Sequence, residues 1–377
     1  MTAAKDTAGA FDLTPVRFSD LPGVSSDDLI SFWPPFFASC RAIVDDAPEL
    51  RKAIPPTESQ KAIGWQALAL GSSVSTDEIR AFLEGHFTPC LITPEGAVGR
   101  AFFTAYYRPE VRASSVRSPD FSEPLLGRPA DLVTLSSDET FPHLQGLSSA
   151  RRSADGALHP YATRMEIDSG ALGALAQPVA YVRDAIEAFM IHVQGSARLI
   201  LEDGRSLDLT YAGRNGHPYT SIGKMLIERG EISLQDMSLD RLKDWVRANG
   251  QEPGEAGRTL LQANHSFVFF SAKLADPGST GPIGAAGLPL TPFRSIAIDR
   301  SLWSYGLPFW VEADVIWSDS GQAGFCRMAI GQDTGAAILG PARADLFFGD
   351  GADAGRRAGD VRHYGRIFVL LPKGDAK

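Results

Sequence analysis

At 377 residues the chain is about twice the size of a usual domain, so one large or two ordinary domains are expected. Hydrophobic residues at 44%, charged residues at 21%, 37 Gly and 25 Pro describe a globular protein rich in turns and strands, not a helical bundle. A net charge of −9 without runs of Lys or Arg argues against phosphate backbones and anionic lipid surfaces, and so against a nucleic-acid partner.

In chain order, Met1 to Ala10 has one Lys and no apolar run, which does not read as a secretory signal, and no stretch is long enough to span a membrane. Ser25-Ser26-Asp27-Asp28 opens a helix through Leu29, Ile30, Phe32 and Trp33, which Pro34-Pro35 is expected to interrupt before a second stretch ending at Pro48. A third helix is expected from Pro56 to Leu70. Ser75-x-x-Glu78 is a capping box for a fourth, through Ile79, Phe82 and Leu83. From Cys90 the character changes: Ala97 to Tyr107 reads as a strand, and residues 110–162 as long loops with short strands. Phe189 to Val193, Ala197 to Leu201 and Leu207 to Tyr211 are expected strands. Ser221 and Ser238 cap helices stopped by Gly230 and Gly250. Phe267–Phe270, Ser295–Ile298, Pro308–Val311, Gly324–Ile330 and Arg366–Leu371 read as further strands. Cys40, Cys90 and Cys326 lack the spacing of a metal site, so no metal is expected; free thiols fit best, with a Cys40–Cys90 disulfide as the alternative.

Four patches carry chemistry. Tyr106 and Tyr107 end a strand, where aromatic faces can stack on sugar rings or serve as ordinary core. Gln194-Gly195-Ser196 and the run from Tyr211 to Tyr219, with Asn215, Gly216 and His217, set amide, hydroxyl and aromatic groups beside glycines. That suits an uncharged polyol, but Asn215-Gly216 also reads as a tight turn. In Gln332 to Gly349, Asp333 follows an apolar strand with Thr334 and Gly335 behind it, and Asp345 adjoins Leu346, Phe347 and Phe348. A carboxyl in apolar surroundings can keep its proton near neutrality and act as an acid. Two such groups suit glycoside cleavage, and two turn-capping aspartates are the plainer reading. No GxSxG, Walker A, GxGxxG after a strand or HExxH is present.

In sum, Gln194-Gly195-Ser196, Tyr211-Ala212-Gly213-x-Asn215-Gly216-His217-Pro218-Tyr219, Arg229-Gly230-Glu231, Gly281-Pro282-Ile283-Gly284, Gln332-Asp333-Thr334-Gly335 and Arg343-Ala344-Asp345-Leu346-Phe347 resemble the membrane-bound lytic murein transglycosylase A (MltA) family, over roughly residues 100–373. The resemblance implies a mainly β fold: a double-psi β-barrel with helical N-terminal elements, formed from 1–105 with 263–377, and a second, inserted β-domain at 106–262. It implies cleavage of the β-1,4 bond between N-acetylmuramic acid and N-acetylglucosamine without added water. The C6 hydroxyl attacks C1, and one aspartate serves as acid and then base.

By motif position that residue is Asp345, with Asp333 in support. Tyr106, Tyr107, Gln194, Gly195, Ser196, Asn215, Gly216, Tyr219, Thr334 and Gly335 are the residues expected to bind substrate. It implies no cofactor, peptidoglycan glycan strands as partner, other cell-wall enzymes as further candidates, and a monomer. The location implied is periplasmic or at the outer membrane, although no lipid-attachment Cys stands near the start. Leu339, Ala336 and Ala197 depart from the family pattern and bear on substrate fit. An inverting hydrolase using two aspartates and a non-catalytic cell-wall binding module are the alternatives.

Overall fold

Side-chain caps set where the N-terminal helices begin. In the computed structural model, which describes residues 11–95, 100–135, 141–275, 281–317 and 324–375, Asp28 accepts the Ser31 amide at the start of α1 (Leu29–Val44). Thr57 with Gln60, and Ser75 with Glu78, form reciprocal capping boxes ahead of α2 (Glu58–Leu70) and α3 (Thr76–His86). Pro34 and Pro35 do not interrupt α1, contrary to the sequence expectation. A proline inside a helix costs about 3 kcal/mol or more. Burial of Phe32, Trp33 and Phe36 in one cluster with Phe82 and Phe87 contributes roughly 2–3 kcal/mol per ring, enough to offset it.

The chain divides into two units, residues up to 107 with those from 279 on, and residues 108–278. The first unit carries β1 (Phe11–Pro15), β2 (Phe87–Pro94), β3 (Ala101–Arg108), β4 (Ser295–Ala297), β5 (Pro308–Ala313), β6 (Phe325–Asp333), β7 (Arg343–Asp350) and β8 (Arg362–Pro372). They form one sheet in the order β1-β2-β8-β5-β6-β4-β7-β3. The long β8 pairs with β2 through residues 368–372 and with β3 through residues 362–365, which closes the last six strands into a ring. Trp310, Met328, Ile330, Phe368 and Leu370 pack from this sheet against α1–α3. Arg343–Asp350, not read as a strand from sequence, forms β7 with Ala344 and residues 346–349 buried, and α4 (Gly351–Gly359) follows it.

The second unit mixes small sheets with short helices. Strands Val268–Leu274, Ser206–Arg214, Ala197–Leu201 and Glu110–Ala113 form a four-stranded sheet in that order, beside a two-stranded and a three-stranded sheet. Pairing of Val268–Leu274 along Ser206–Arg214 carries this unit past residue 262. Phe189–Val193, expected as a strand, lies in the helix Ala185–Gln194. Asp184 caps it, Ile186, Phe189 and Met190 bury one face at helical spacing, and Gly195 stops it in the left-handed region. Cys40, Cys90 and Cys326 are free thiols, so the disulfide alternative falls away. Among the described residues no helix is long and apolar enough to cross a membrane.

Candidate active site

The site in the first unit is built on one irregularity of strand pairing. β4 lies between β6 and β7, parallel to the first and antiparallel to the second. Ile296 pairs with Gly331 on one side and Leu346 on the other; the next residue, Ala297, pairs with Asp333 and Asp345. The step from Gly331 to Asp333 passes over Gln332 as a bulge. Bulges re-aim side chains, and this one sends Gln332 into the core. Its Oε1 accepts from Ser295 Oγ at 2.6 Å, and its Nε2 donates to Ser39 Oγ at 2.8 Å and to the Pro35 carbonyl at 3.2 Å. Asp333 takes the place opposite Ala297 that Gln332 would hold in a regular ladder. Paired residues share a face of a sheet, so Asp333 and Asp345 stand on one face with only the Ala297 methyl between them. Two strand spacings, roughly 10 Å between backbones, separate them.

Strand β3 supplies the partners. Thr104 and Tyr106 are two apart and so point the same way. Tyr106 donates its hydroxyl to Asp333 Oδ2 at 2.8 Å, and the amides of Ala285 and Thr334 each donate to Asp333 Oδ1 at 2.9 Å. Asp345 Oδ1 accepts from the Thr104 hydroxyl and, among the described residues, takes no other hydrogen bond. Thr104 Oγ1 in turn accepts from Arg343 Nη2 at 2.6 Å. Phe347 packs against Tyr106, ring centroids 5.3 Å apart.

Burial pushes both carboxyls above the ordinary aspartate value. For Asp333 the two amides, the Tyr106 hydroxyl and the charge of Arg51 oppose that rise. For Asp345 the Arg343 cation and the Thr104 hydroxyl oppose it, and the neighbouring Asp333 adds to it. Burial, and then Asp333, hold the Tyr106 phenol well above its usual range. The buried Tyr305 phenol is pushed up by burial and by Asp333, and its hydroxyl has no partner among the described residues. The two aspartates are therefore unequal: Asp333 is tied by three donors, whereas Asp345 keeps one oxygen open.

The residues assigned to binding from sequence meet different fates. Tyr106 joins the site. Thr334 braces it, its hydroxyl donating to the Ile298 carbonyl at 2.8 Å, and Gly335 lies close to the Ile338 side chain. Tyr107 is buried with its ring against Gly355, where an added Cβ would sit 2.7 Å from ring atoms. It is core, not a sugar platform. In the second unit Gly195 is a helix stop, and Ser196 beside Gln194 is buried. Asn215 is 0% exposed; its Nδ2 donates to the Ala162 and His265 carbonyls, and its Oδ1 accepts the Phe267 amide, all at 2.8 Å. Fully buried and with both amide protons used, Asn215 braces the backbone here, which sets it apart from the binding role expected of it. Gly216, at φ +88°, is required by the backbone of Ser149, 2.4 Å from where a Cβ would be. Tyr219 is 40% exposed; burial raises its phenol above the usual range, and a hydrogen bond with the Ser221 side chain opposes that rise. Thr104, Arg343, Tyr305 and Arg51 were not singled out from sequence; alternation along β3 was the one local signal that could have found Thr104.

Comparison with known proteins adds the following. A family model described as the MltA specific insert domain matches residues 102–271, and one described as the 3D domain matches residues 294–371. The chain is similar to membrane-bound lytic murein transglycosylase A of Vibrio cholerae, 40% identical over 215 residues that make up 55% of each chain. It is 35% identical to the Escherichia coli protein of the same name over 284 residues, 73% of this chain and 67% of that one. The match thus spans about half the length of the Vibrio relative. Among solved structures, membrane-bound lytic murein transglycosylase from Agrobacterium tumefaciens has a TM-score of 0.84 at 31% identity, covering 97% of this chain and 99% of that one. Escherichia coli MltA with bound chitohexaose has a TM-score of 0.66 at 26% identity, covering 98% and 97%.

Proposed function

The chain belongs to the membrane-bound lytic murein transglycosylase A (MltA) family, and we propose that it cleaves the β-1,4 bond between N-acetylmuramic acid and N-acetylglucosamine in peptidoglycan. Asp345, protonated at the start, gives its proton to the glycosidic oxygen as the bond to C1 breaks. The C6 hydroxyl of the same muramic acid then closes on C1, and its proton passes to the Asp345 carboxylate. A 1,6-anhydro end forms, the enzyme regains its starting state, and no water is consumed. The nucleophile is held by the substrate itself, so no second base is needed to activate water.

The observation that carries this reading is the asymmetry of the two aspartates. A single-residue acid and base needs a carboxyl raised by burial with one oxygen free, which describes Asp345. Asp333, satisfied by three donors, supports it as a fixed neighbour. We read the six-strand ring, with its one parallel pairing of β4 and β6 among the antiparallel ones recorded, as the double-psi β-barrel that the family resemblance implies. Tyr219 is taken as a sugar contact of the second unit. The site of action is the peptidoglycan layer, from the periplasmic side.

Digestion of purified peptidoglycan, read by mass spectrometry, tests the proposal. Fragments ending in 1,6-anhydromuramic acid, lighter by one water than reducing ends, are expected from the wild type and not from Asp345→Ala. Reducing ends instead would make the enzyme a hydrolase, and binding without soluble products would make it a wall-binding module.

A further inference from the structure

We infer that Arg343 is a positioning residue for the acid–base carboxyl, acting through the Thr104 hydroxyl. The inference rests on the role proposed for Asp345 and adds what holds that group in place.

A threonine hydroxyl has one proton and two lone pairs, and its rotor is free unless something sets it. Arg343 can only donate, and its Nη2 takes a lone pair of Thr104 Oγ1 at 2.6 Å, so the Thr104 proton is left to point at Asp345 Oδ1. The guanidinium is itself anchored: Nη1 donates to the Ala344 carbonyl at 2.5 Å, and the group lies over the Phe102 ring, 5.1 Å from its centroid. Phe102 is backed by Tyr364 at 5.1 Å. Among the described residues Arg343 makes no hydrogen bond to a carboxylate. A fixed cation over an aromatic face, spent on a hydroxyl that serves another residue's carboxylate, is poorly explained as a surface ion pair. It is well explained as the part that decides which Asp345 oxygen is held and which is free to pass the proton.

The arrangement also balances two opposed demands. Asp345 must carry a proton first and lose it afterwards. Burial and the Asp333 carboxylate, across Ala297 on β6, favour the protonated form. Arg343 on its own strand and Thr104 on β3 favour the ionised form. The Tyr106 phenol, also on β3, remains protonated and adds no charge. Arg343 is the one cation in this set, so it keeps the carboxylate available for the second proton transfer.

The test compares Arg343→Met, Thr104→Val and the double variant in the full chain, with purified peptidoglycan as substrate and anhydro-muropeptide release followed against pH. Each single variant is expected to lose roughly 10–100-fold in kcat, the scale of a mispositioned reacting group. The double variant is expected to lose no more than the worse single, since both remove one relay. In Arg343→Met the alkaline limb of kcat/KM moves to higher pH, because the carboxyl holds its proton more tightly. Arg343→Lys keeps the limb in place but loses kcat, and Thr104→Ser recovers part of the Thr104→Val loss. Additive losses in the double variant, an unmoved limb in Arg343→Met, or losses that only track the folded fraction in thermal melts would each overturn the assignment. Asp345→Asn run alongside separates the two ideas: if it keeps activity, the proposed function fails; if it is inactive while the Arg343 results disagree, only the relay fails.

Discussion

The segments Gln332–Asp345 and Gln194–Tyr219 look alike in sequence: each sets polar side chains beside glycines and next to strands. In the structure they do opposite work. The first sends one polar residue, Gln332, into the core so that its neighbour Asp333 can share a face with Asp345. The second spends its best polar group, Asn215, on three backbone groups, while Tyr219 stays exposed. Residue type does not distinguish a site from a brace; the count of hydrogen bonds left open does.

That contrast is broken or sharpened by variants on each side. The largest effect is expected at Asp345→Ala: product release falls about 100-fold or more while circular dichroism and melting behaviour stay native. Normal turnover would remove Asp345 from the reaction. On the other side, Asn215→Ala strands buried donors and acceptors, so a denaturation midpoint should report a loss of about 2–4 kcal/mol, with kcat per folded molecule unchanged. A drop in kcat without loss of stability would return Asn215 to the binding surface. Asp333→Asn is nearly the same shape and keeps the amide contacts but removes a negative charge beside Asp345. The alkaline limb of kcat/KM should then move to lower pH, opposite in sign to Arg343→Met, with a loss of roughly tenfold in rate.

Tyr219→Ala should raise KM roughly threefold to tenfold at constant kcat, the scale of one exposed aromatic contact. The smallest effect is thermal. A carboxyl raised on folding binds its proton more tightly in the folded chain, so it costs stability as pH climbs above its unfolded value of about 4. Asp345→Asn removes that cost, and its melting temperature should exceed the wild type by about 2 °C or more near neutrality and by less at pH ~4. An equal gain at both would mean that the carboxyl is not perturbed.

The capping boxes at Thr57 and Ser75 and the helix starts at Ser221 and Ser238 were legible in the sequence, because a cap is a contact between residues three apart. The strands around residues 295, 308, 325 and 366 were legible from short apolar runs. Pro34-Pro35 misled because propensity yields to burial of three rings in one cluster. Phe189–Val193 misled because a short apolar run has no period of its own; Asp184 and Gly195, outside it, decide for helix. Both aspartates were found, and their unequal roles came from the family resemblance alone; the three donors on Asp333 and the single one on Asp345 were not legible.

By itself, then, the sequence determined the local starts and stops, the acidic and turn-rich character of the chain, and an ordered set of motifs specific to one family. Only tertiary structure decided that Gln332 bulges out of the ladder, that Ala297 stands between two carboxyls, and that Arg343 reaches Thr104 across 239 positions of chain. The reason is physical: register, desolvation and spare hydrogen-bonding capacity belong to groups distant in sequence. They come into being only when the strands pair, and at Asp345 they turn a carboxyl next to Leu346 and Phe347 into a candidate acid and base.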